Sequence, residues 1–332
     1  MTVPFELSPT EDQPVAELAV SNICWPDGPE AHAVAMDVFR AHGVTAMDIA
    51  PTKAFPELMG GTHPDDIDRD GVVAFRRSLR AGESDRGPIR IAGFQSLTFG
   101  VTTETIFGSP EDSKVLHNRV RGMIDLAEFI GARTLIYGSP KTRLIEGLSE
   151  DEVASKAASF FGPLGQIAAS RGVVLGIEPV SKSWTGQKAV FGNTAADVVA
   201  FAETLRSAFD IDSVRLVPDS FAMHDGADDI PHVLRRAHWL GLLAAHAQMA
   251  EPGMEAPQLL DDPLAATHAV LADSLRGIYD AEINRGVLPP SVLAVEMSKP
   301  CDKNGNPLQG DDLYATLSGV ISAAKAHYGQ VL

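Results

Sequence analysis

The sequence predicts a single-domain (β/α)8 barrel, a TIM barrel of the α/β class, on three observations. Short aliphatic segments with the length of buried strands alternate with helical segments along the whole chain. Eight such strand–helix units follow one another, and the last four strand segments each lead into a polar side chain. No GxGxxG segment follows the first strand, so an open sheet that binds dinucleotides is not supported. The 332 residues are 45% apolar, which suffices for one large core, with the barrel over about residues 17–328.

The eight strands are predicted from short runs of aliphatic side chains that match a buried parallel strand. Clear examples are RTLIY for the fourth strand, GVVLGI for the fifth and VRLVP for the sixth. The predicted strands are residues 17–23, 46–50, 88–95, 133–137, 172–177, 214–218, 240–247 and 292–295.

The helices are predicted from an apolar period near 3.6 residues and from local start and stop signals. Gly43 and Gly131 are typical stop residues, Ser149-Glu-Asp-Glu is a capping-box start, and Asn193 or Thr194 opens the sixth helix. The other predicted helices are 29–42, 72–80, 112–130, one from 149 to 170, 230–239, 265–285 and 311–327. Residues 250–262 and 298–310 form long loops, which we expect to act as lids or to contact a second subunit.

Composition limits the partners and the compartment. The 27 Lys and Arg against 44 Asp and Glu give a net charge of −17, and no basic patch is evident, so we expect no nucleic-acid partner. Cys24 and Cys301 match no zinc spacing and cannot form a disulfide framework, which favours a cytoplasmic protein. The first 14 residues lack a basic segment followed by an apolar one, so we expect no signal peptide. No apolar run is long enough to span a membrane.

Four polar residues stand at the ends of the last four predicted strands: Glu178, Asp219, Gln248 and Glu296. In a parallel barrel the carboxyl ends of the strands meet at one face, so these side chains are expected to converge. An isolated buried carboxylate is strongly unfavourable unless it is paired or bound to a metal. Carboxylate and amide oxygens suit a hard divalent cation, and manganese or magnesium better than zinc. The alternatives are salt bridges to a barrel lysine or arginine and, for Gln248, hydrogen bonds to nearby backbone.

The segments around these four residues resemble the xylose isomerase-like TIM-barrel superfamily. They are IEPVS at 177–181, PDSFAM at 218–223, HAQMAEPG at 246–253 and AVEMS at 294–298. The resemblance covers about residues 19–297, includes GSPKTR at 138–143, and in HAQMAEPG is closest to the hydroxypyruvate isomerase branch. The superfamily includes sugar isomerases and epimerases, inosose dehydratase and endonuclease IV. The resemblance implies that the four residues bind a divalent metal, with manganese as first choice and magnesium or cobalt as alternatives.

Two departures from the superfamily bear on the substrate. Epimerases with a D-x-x-H segment after strand six use its histidine on the substrate, whereas this chain has Ala222 there and His224 two residues later. Ketose 3-epimerases carry a second glutamate six residues after the strand-five glutamate, whereas this chain has Trp184. We therefore expect a larger, more hydrophobic pocket than that of a simple ketose epimerase, lined by Trp184 and Trp25.

Further substrate-binding candidates lie near the same strand ends. His246 lies two residues before Gln248, so both side chains are predicted on one face of the strand. It is expected to bind a substrate oxygen or to orient a metal ligand, or else to be a structural histidine. Lys141 and Lys182 follow strands four and five and are candidates for a hydroxyl, carboxylate or phosphate, with a solvated lysine as the alternative. His224 is a further candidate, with simple surface exposure as its alternative.

The leading hypothesis is a metal-dependent isomerase or epimerase that acts on a sugar or a related polyhydroxy ketone. Glu178 and Glu296 would remove and return a proton next to the carbonyl, through an enediolate. The first alternative is a lyase of the same superfamily, of the dehydratase or C-glycoside deglycosidase type, and the second is a non-catalytic barrel subunit. We expect a small carbohydrate-like substrate, no membrane partner, and a homo-oligomer or a complex with a second subunit as open possibilities.

Overall fold

All eight strands are parallel and belong to one sheet. The computed structural model describes residues 16–58, 62–79, 88–100, 104–251, 264–283, 291–297, 300–302, 304–329 and 332. Within these residues the order of the strands is β6-β5-β4-β3-β2-β1-β8-β7. The strands are β1 (Ala16–Ser21), β2 (Ala46–Ile49), β3 (Arg90–Phe94), β4 (Thr134–Tyr137), β5 (Val174–Ile177), β6 (Val214–Leu216), β7 (His246–Glu251) and β8 (Ser291–Met297).

The two ends of this sheet, β6 and β7, approach each other and close it. Parallel bridges pair Leu216 with Leu243 and Asp219 with Gln248. The backbone N–H of Gln248 donates to the carbonyl of Pro218 at 2.8 Å. Closure removes the exposed edges of the sheet, because the backbone groups of both edge strands gain partners. The predicted (β/α)8 barrel is confirmed.

Ten helices lie in the described part of the chain, and most begin and end at the predicted signals. Ser149 and Thr194 each form a capping box, and Thr194, not Asn193, is the N-cap of its helix. Gly43 ends the first helix in the left-handed conformation, with a φ of 64°. The helices are α1 (Pro29–His42), α2 (Pro51–Ala54), α3 (Arg69–Ser78), α4 (Pro110–Ile130), α5 (Glu150–Ser170), α6 (Ala195–Phe209), α7 (Ser220–Asp225), α8 (Ile230–Trp239), α9 (Ala265–Ile283) and α10 (Gly310–Tyr328). None of these described helices has both the length and the apolar character needed to cross a bilayer.

The predicted bounds of the seventh strand, residues 240–247, are wrong. Leu240 caps α8, Gly241 has a φ of 68°, and the N–H of Leu242 donates to the carbonyl of Ala237, so the run begins with a turn. After the turn, the carbonyl of Leu242 accepts from the N–H of Leu216 in β6, and Leu242 is completely buried. The strand starts only at His246, so Gln248 lies within β7 and not after its end.

The last strand is also longer than predicted, since β8 runs from Ser291 to Met297 and contains Glu296. Glu296 shares a strand face with Ala294, because alternate residues of a strand point the same way. Ala294 belongs to a small cluster that is distinct from the main core under the helices and lies inside the barrel: Ala19, Ala46, Ala92, Val292 and Ala294. These small side chains leave room in the barrel for the longer polar side chains at its carboxyl end.

Candidate active site at the carboxyl end of the barrel

The four residues singled out in the sequence lie together at one end of the barrel. Glu178 directly follows β5, and Asp219 caps α7 just after β6. Gln248 pairs with Asp219 across the β6–β7 closure. The Gln248 Nε2 donates to the Glu296 Oε2 at 2.5 Å. Strand pairing and one side-chain hydrogen bond therefore link three of the four, and the electrostatics place the fourth beside them.

The carboxylates of this group influence one another strongly. Burial raises the pKa of Glu178 well above its ordinary value, the charges of Asp219 and Glu296 raise it further, and the Arg143 guanidinium lowers it. Burial, followed by the charges of Asp219 and Asp48, raises the pKa of Glu296 to about 8. Like charges held close together in a dry site disfavour ionisation, so part of this group stays protonated near neutral pH unless a cation joins it.

Asp219 and Gln248 each present an oxygen that accepts no hydrogen bond. Burial raises the pKa of Asp219 to about 7, although the backbone amides of Ala222 and Phe221 lower it. The amide of Ala222 donates to Asp219 Oδ1 at 2.6 Å, which leaves Oδ2 buried and without a partner among the described residues. The Gln248 Oε1 is likewise buried and has no hydrogen-bond partner among the described residues. An unsatisfied buried acceptor is unfavourable by ~1–3 kcal/mol, so both oxygens have free capacity for a cation or a donor.

Two residues of the segment after β4 position Glu178. Arg143 is fully buried, and its Nη2 donates to the backbone carbonyl of Glu178 at 2.7 Å. Burial lowers the pKa of Arg143 to about 10, which still leaves it charged at neutral pH. Gly138 lies against the carboxylate, since a Cβ there would lie 2.7 Å from Glu178 Oε2. Sequence reasoning noted the GSPKTR segment but proposed only its lysine, Lys141, as a functional residue.

A buried aspartate–histidine pair lies inside the barrel near Glu296. His246 Nε2 and Asp48 Oδ2 are 2.8 Å apart, and both side chains are 0% exposed. Gly93 makes room for them, because a Cβ there would lie 3.0 Å from His246 Cε1 and 3.1 Å from Asp48 Oδ1. Sequence reasoning missed Asp48, although a carboxylate within the aliphatic AMDIA strand was a signal of the same kind as the four that were noticed.

Four of the remaining predicted substrate residues are exposed. Lys141 and Lys182 are exposed. His224 is also exposed, and its Nδ1 lies 2.8 Å from the Thr267 hydroxyl of α9. Trp184 is 38% exposed, with its ring 5.2 Å from that of Phe221.

Trp25 lies in different surroundings from Trp184. Trp25 is only 2% exposed, and its ring meets that of Phe39 edge-on at 5.7 Å. It borders a cavity of which Trp184 is not among the described lining residues.

In the described residues, no group of three or more histidine, cysteine, aspartate or glutamate side chains is tight enough to enclose a metal ion. The three carboxylates are neighbours, as their mutual effect on pKa requires, but they do not form a closed cage of their own. The amide of Gln248, bonded to Glu296, supplies the fourth polar group at this site.

Comparison with known proteins identifies the family. The chain is similar to a 3-keto-D-glucoside 4-epimerase, YcjR, from E. coli, with 13% identity, a TM-score of 0.60, and coverage of 93% of this chain and 98% of that one. A D-psicose 3-epimerase crystallised with D-fructose gives 14% identity, a TM-score of 0.66 and coverages of 94% and 99%. The IOLI protein with a bound zinc atom has 16% identity and a TM-score of 0.59, with coverage of 95% of this chain and 98% of that one. No curated protein sequence matches the chain. The family model described as xylose isomerase-like TIM barrel matches residues 36–289, and the chain belongs to that family.

Proposed function

We propose that the protein is a divalent-metal-dependent isomerase or epimerase that acts on a sugar or a sugar-derived polyhydroxy ketone. The observation that carries the proposal is the convergence of three carboxylates and one amide at the carboxyl end of the barrel, where barrel enzymes place their reactive groups. Support comes from similar structures described as sugar epimerases.

The residues present fit a divalent cation. Asp219 Oδ2 and Gln248 Oε1 are buried acceptors that receive no hydrogen bond from the described residues, which is the condition expected of ligand oxygens. The raised pKa values of Glu178 and Glu296 reflect a cluster of negative charge that a cation would relieve. Hard oxygen donors favour manganese or magnesium, while a similar structure holds zinc. When bound, the ion would act as a Lewis acid toward the oxygens of a hydroxy-ketone.

The two glutamates are placed to move a proton on the substrate carbon next to the carbonyl. A carboxylate that has lost its proton accepts one from that carbon, and its protonated partner returns one to the enediolate. Gln248 donates to one oxygen of Glu296, Arg143 donates to the backbone carbonyl of Glu178, and Gly138 leaves space for the Glu178 carboxylate. Burial raises the pKa of both groups, which works against the loss of the proton from the carboxyl group that acts as the acid.

Metal binding is tested without knowledge of the substrate. Protein purified without chelator and reconstituted with manganese should hold one ion per chain, measured by elemental analysis. Asp219→Ala should lose most of it, because it removes a ligand with an unpartnered buried oxygen. Wild-type protein that stays free of metal, or a variant with undiminished metal, contradicts the proposal.

The chemical step is tested with Glu178→Gln and Glu296→Gln. Each should lower turnover by at least ~100-fold, the usual scale for a positioned acid or base, while the exposed Glu111→Gln serves as matched control. Incubation of a panel of ketoses in deuterated water should place deuterium on the substrate carbon. Full activity of both variants would mean that the carboxylates are structural. A product that has lost water or a substituent would assign the lyase instead.

A further inference from the structure

A cavity of about 880 Å³ lies at the carboxyl ends of β1, β2 and β3. Asn22, Ala50 and Ser96 follow these three strands, and all three line it. The Glu178 site occupies the carboxyl ends of β5 to β8, so both lie on the same face of the barrel. This volume is typical of a site for a drug-sized small molecule.

The chain connects this cavity closely to Glu296. The Cys24 Sγ donates to the carbonyl of Val295 at 3.5 Å. Val295 immediately precedes Glu296, and the residue after Cys24 is Trp25, which lines the cavity. The loop that follows β1 therefore lies between the cavity and the end of β8 that carries Glu296.

The lining of the cavity is mainly apolar and partly aromatic. Trp25, Met47, Phe75 and Phe99 supply ring and thioether surface. Phe99 is 67% exposed, so its ring is accessible to a molecule that enters the cavity. A free ketose, covered with hydroxyl groups, does not match such a surface, whereas a flat ring does.

Two buried polar atoms in this lining have no partner among the described residues: His32 Nε2 and Thr52 Oγ1. Thr52 is 1% exposed. Burial and the nearby Lys53 charge lower the pKa of His32, so its imidazole is neutral at pH 7 and can donate or accept. Lys53 itself is held by the Trp25 carbonyl and lies 3.5 Å from an oxygen of Asp27, so its charge is balanced. A neutral ligand with a hydroxyl or carbonyl group fits these partners better than an anion.

We propose that this cavity binds an uncharged, ring-bearing substituent of the substrate, which makes the substrate a sugar derivative with an aromatic or similar apolar group. The proposal rests on the proposed function for the position of the sugar. The apolar walls bind the ring, while His32 and Thr52 bind a hydroxyl or carbonyl group on it. A substrate of this class occupies the Glu178 site with its sugar and the cavity with its ring.

The test compares 6-hydroxy-2-naphthyl β-D-glucoside, whose ring carries the required hydroxyl, with methyl β-D-glucoside by calorimetry on the manganese-loaded protein. The naphthyl compound should bind at least ~10-fold more tightly, a modest yield for burial of an aromatic ring. Thr52→Val should reduce this preference ~5-fold, the scale of one hydrogen bond, and should leave stability intact because it removes an unsatisfied hydroxyl. Phe75→Ala should reduce it as well, and Trp239→Ala, at an 82% exposed aromatic outside the cavity lining, should not.

Equal binding of the two glucosides by the wild type, or an unchanged preference in both cavity variants, overturns the proposal. Binding of free 2-naphthol by Asp219→Ala separates it from the proposed function. Suppose that Asp219→Ala has lost metal and activity but still binds 2-naphthol, and that the double variant with Phe75→Ala no longer binds it. The cavity assignment then stands without the proposed function. If ketoses are turned over while the naphthyl group gives no advantage, the proposed function stands and the cavity assignment falls.

Discussion

Gly138→Ala is expected to damage the site while leaving the fold almost unchanged. Gly138 directly follows β4, and its backbone is outside the left-handed region, so alanine is allowed there. The added Cβ would lie 2.7 Å from Glu178 Oε2 and 3.3 Å from its Cδ, where ordinary contact begins at 3.4 Å. The carboxylate must therefore move by about 0.7 Å, the difference between 3.4 and 2.7 Å. The atom that must yield is the end of a flexible side chain, so the free energy of unfolding should fall by less than ~1 kcal/mol.

The functional effect should be much larger than the effect on stability. A displacement approaching 1 Å in a catalytic group lowers turnover by up to ~100-fold, so we expect a loss of ~10- to 100-fold. Manganese affinity should fall by about tenfold, the smaller scale reported for disturbed ligand orientation. Both are measured on the same preparation, the affinity by calorimetry and the turnover by deuterium incorporation into the ketose.

Gly319→Ala in α10 is the matched control, because a Cβ there meets no atom within 4 Å. It should keep full metal affinity and turnover and gain up to ~1 kcal/mol from helix propensity. If Gly138→Ala binds manganese and turns over substrate like the wild type, the position of the Glu178 carboxylate does not matter and the assignment of its role is wrong.

Two further predictions concern the buried charges. Folding raises the pKa of Asp219 to about 7 and that of Glu296 to about 8. At any pH between the ordinary and the raised pKa values, the folded protein therefore binds more protons than the unfolded chain. The contribution of these two groups to the stability of metal-free protein should therefore be largest below pH ~4 and should be lost as pH rises from there to about 7 to 8, seen as a falling Tm. A Tm that rises over this range would contradict the burial argument, and manganese should remove the loss. Arg143→Met should lower the free energy of unfolding in urea by ~1–3 kcal/mol, because it leaves the buried backbone carbonyl of Glu178 without its donor, whereas exposed Lys141→Met should change it little.

Local signals along the chain predicted most of the secondary structure. A serine or threonine three residues before a carboxylate starts α5 and α6, and a left-handed glycine ends α1, because these groups satisfy backbone atoms of the adjacent turn. The start of the run at 240–247 was misassigned because an apolar side chain indicates burial and not strand formation. Residues 240 and 241 form a turn, and β7 starts only at His246.

The sequence alone also determined which polar residues to examine. A carboxylate or amide beside an aliphatic strand conflicts with burial, and that conflict is visible without a structure. It marked Glu178, Asp219, Gln248 and Glu296, and the family resemblance supplied their order around the barrel. The metal itself and the roles of these residues stay proposals.

Only the tertiary structure revealed which residues support that group. Asp48 and His246 are 198 positions apart in the chain and meet because both side chains, from β2 and β7, point into the barrel. Arg143 reaches the Glu178 carbonyl across 35 positions, and Gly138 is essential only because a carboxylate lies against it. A local pattern shows only whether a residue prefers water or burial. A contact across the barrel depends on how the sheet closes, because closure brings side chains from distant segments within hydrogen-bond distance.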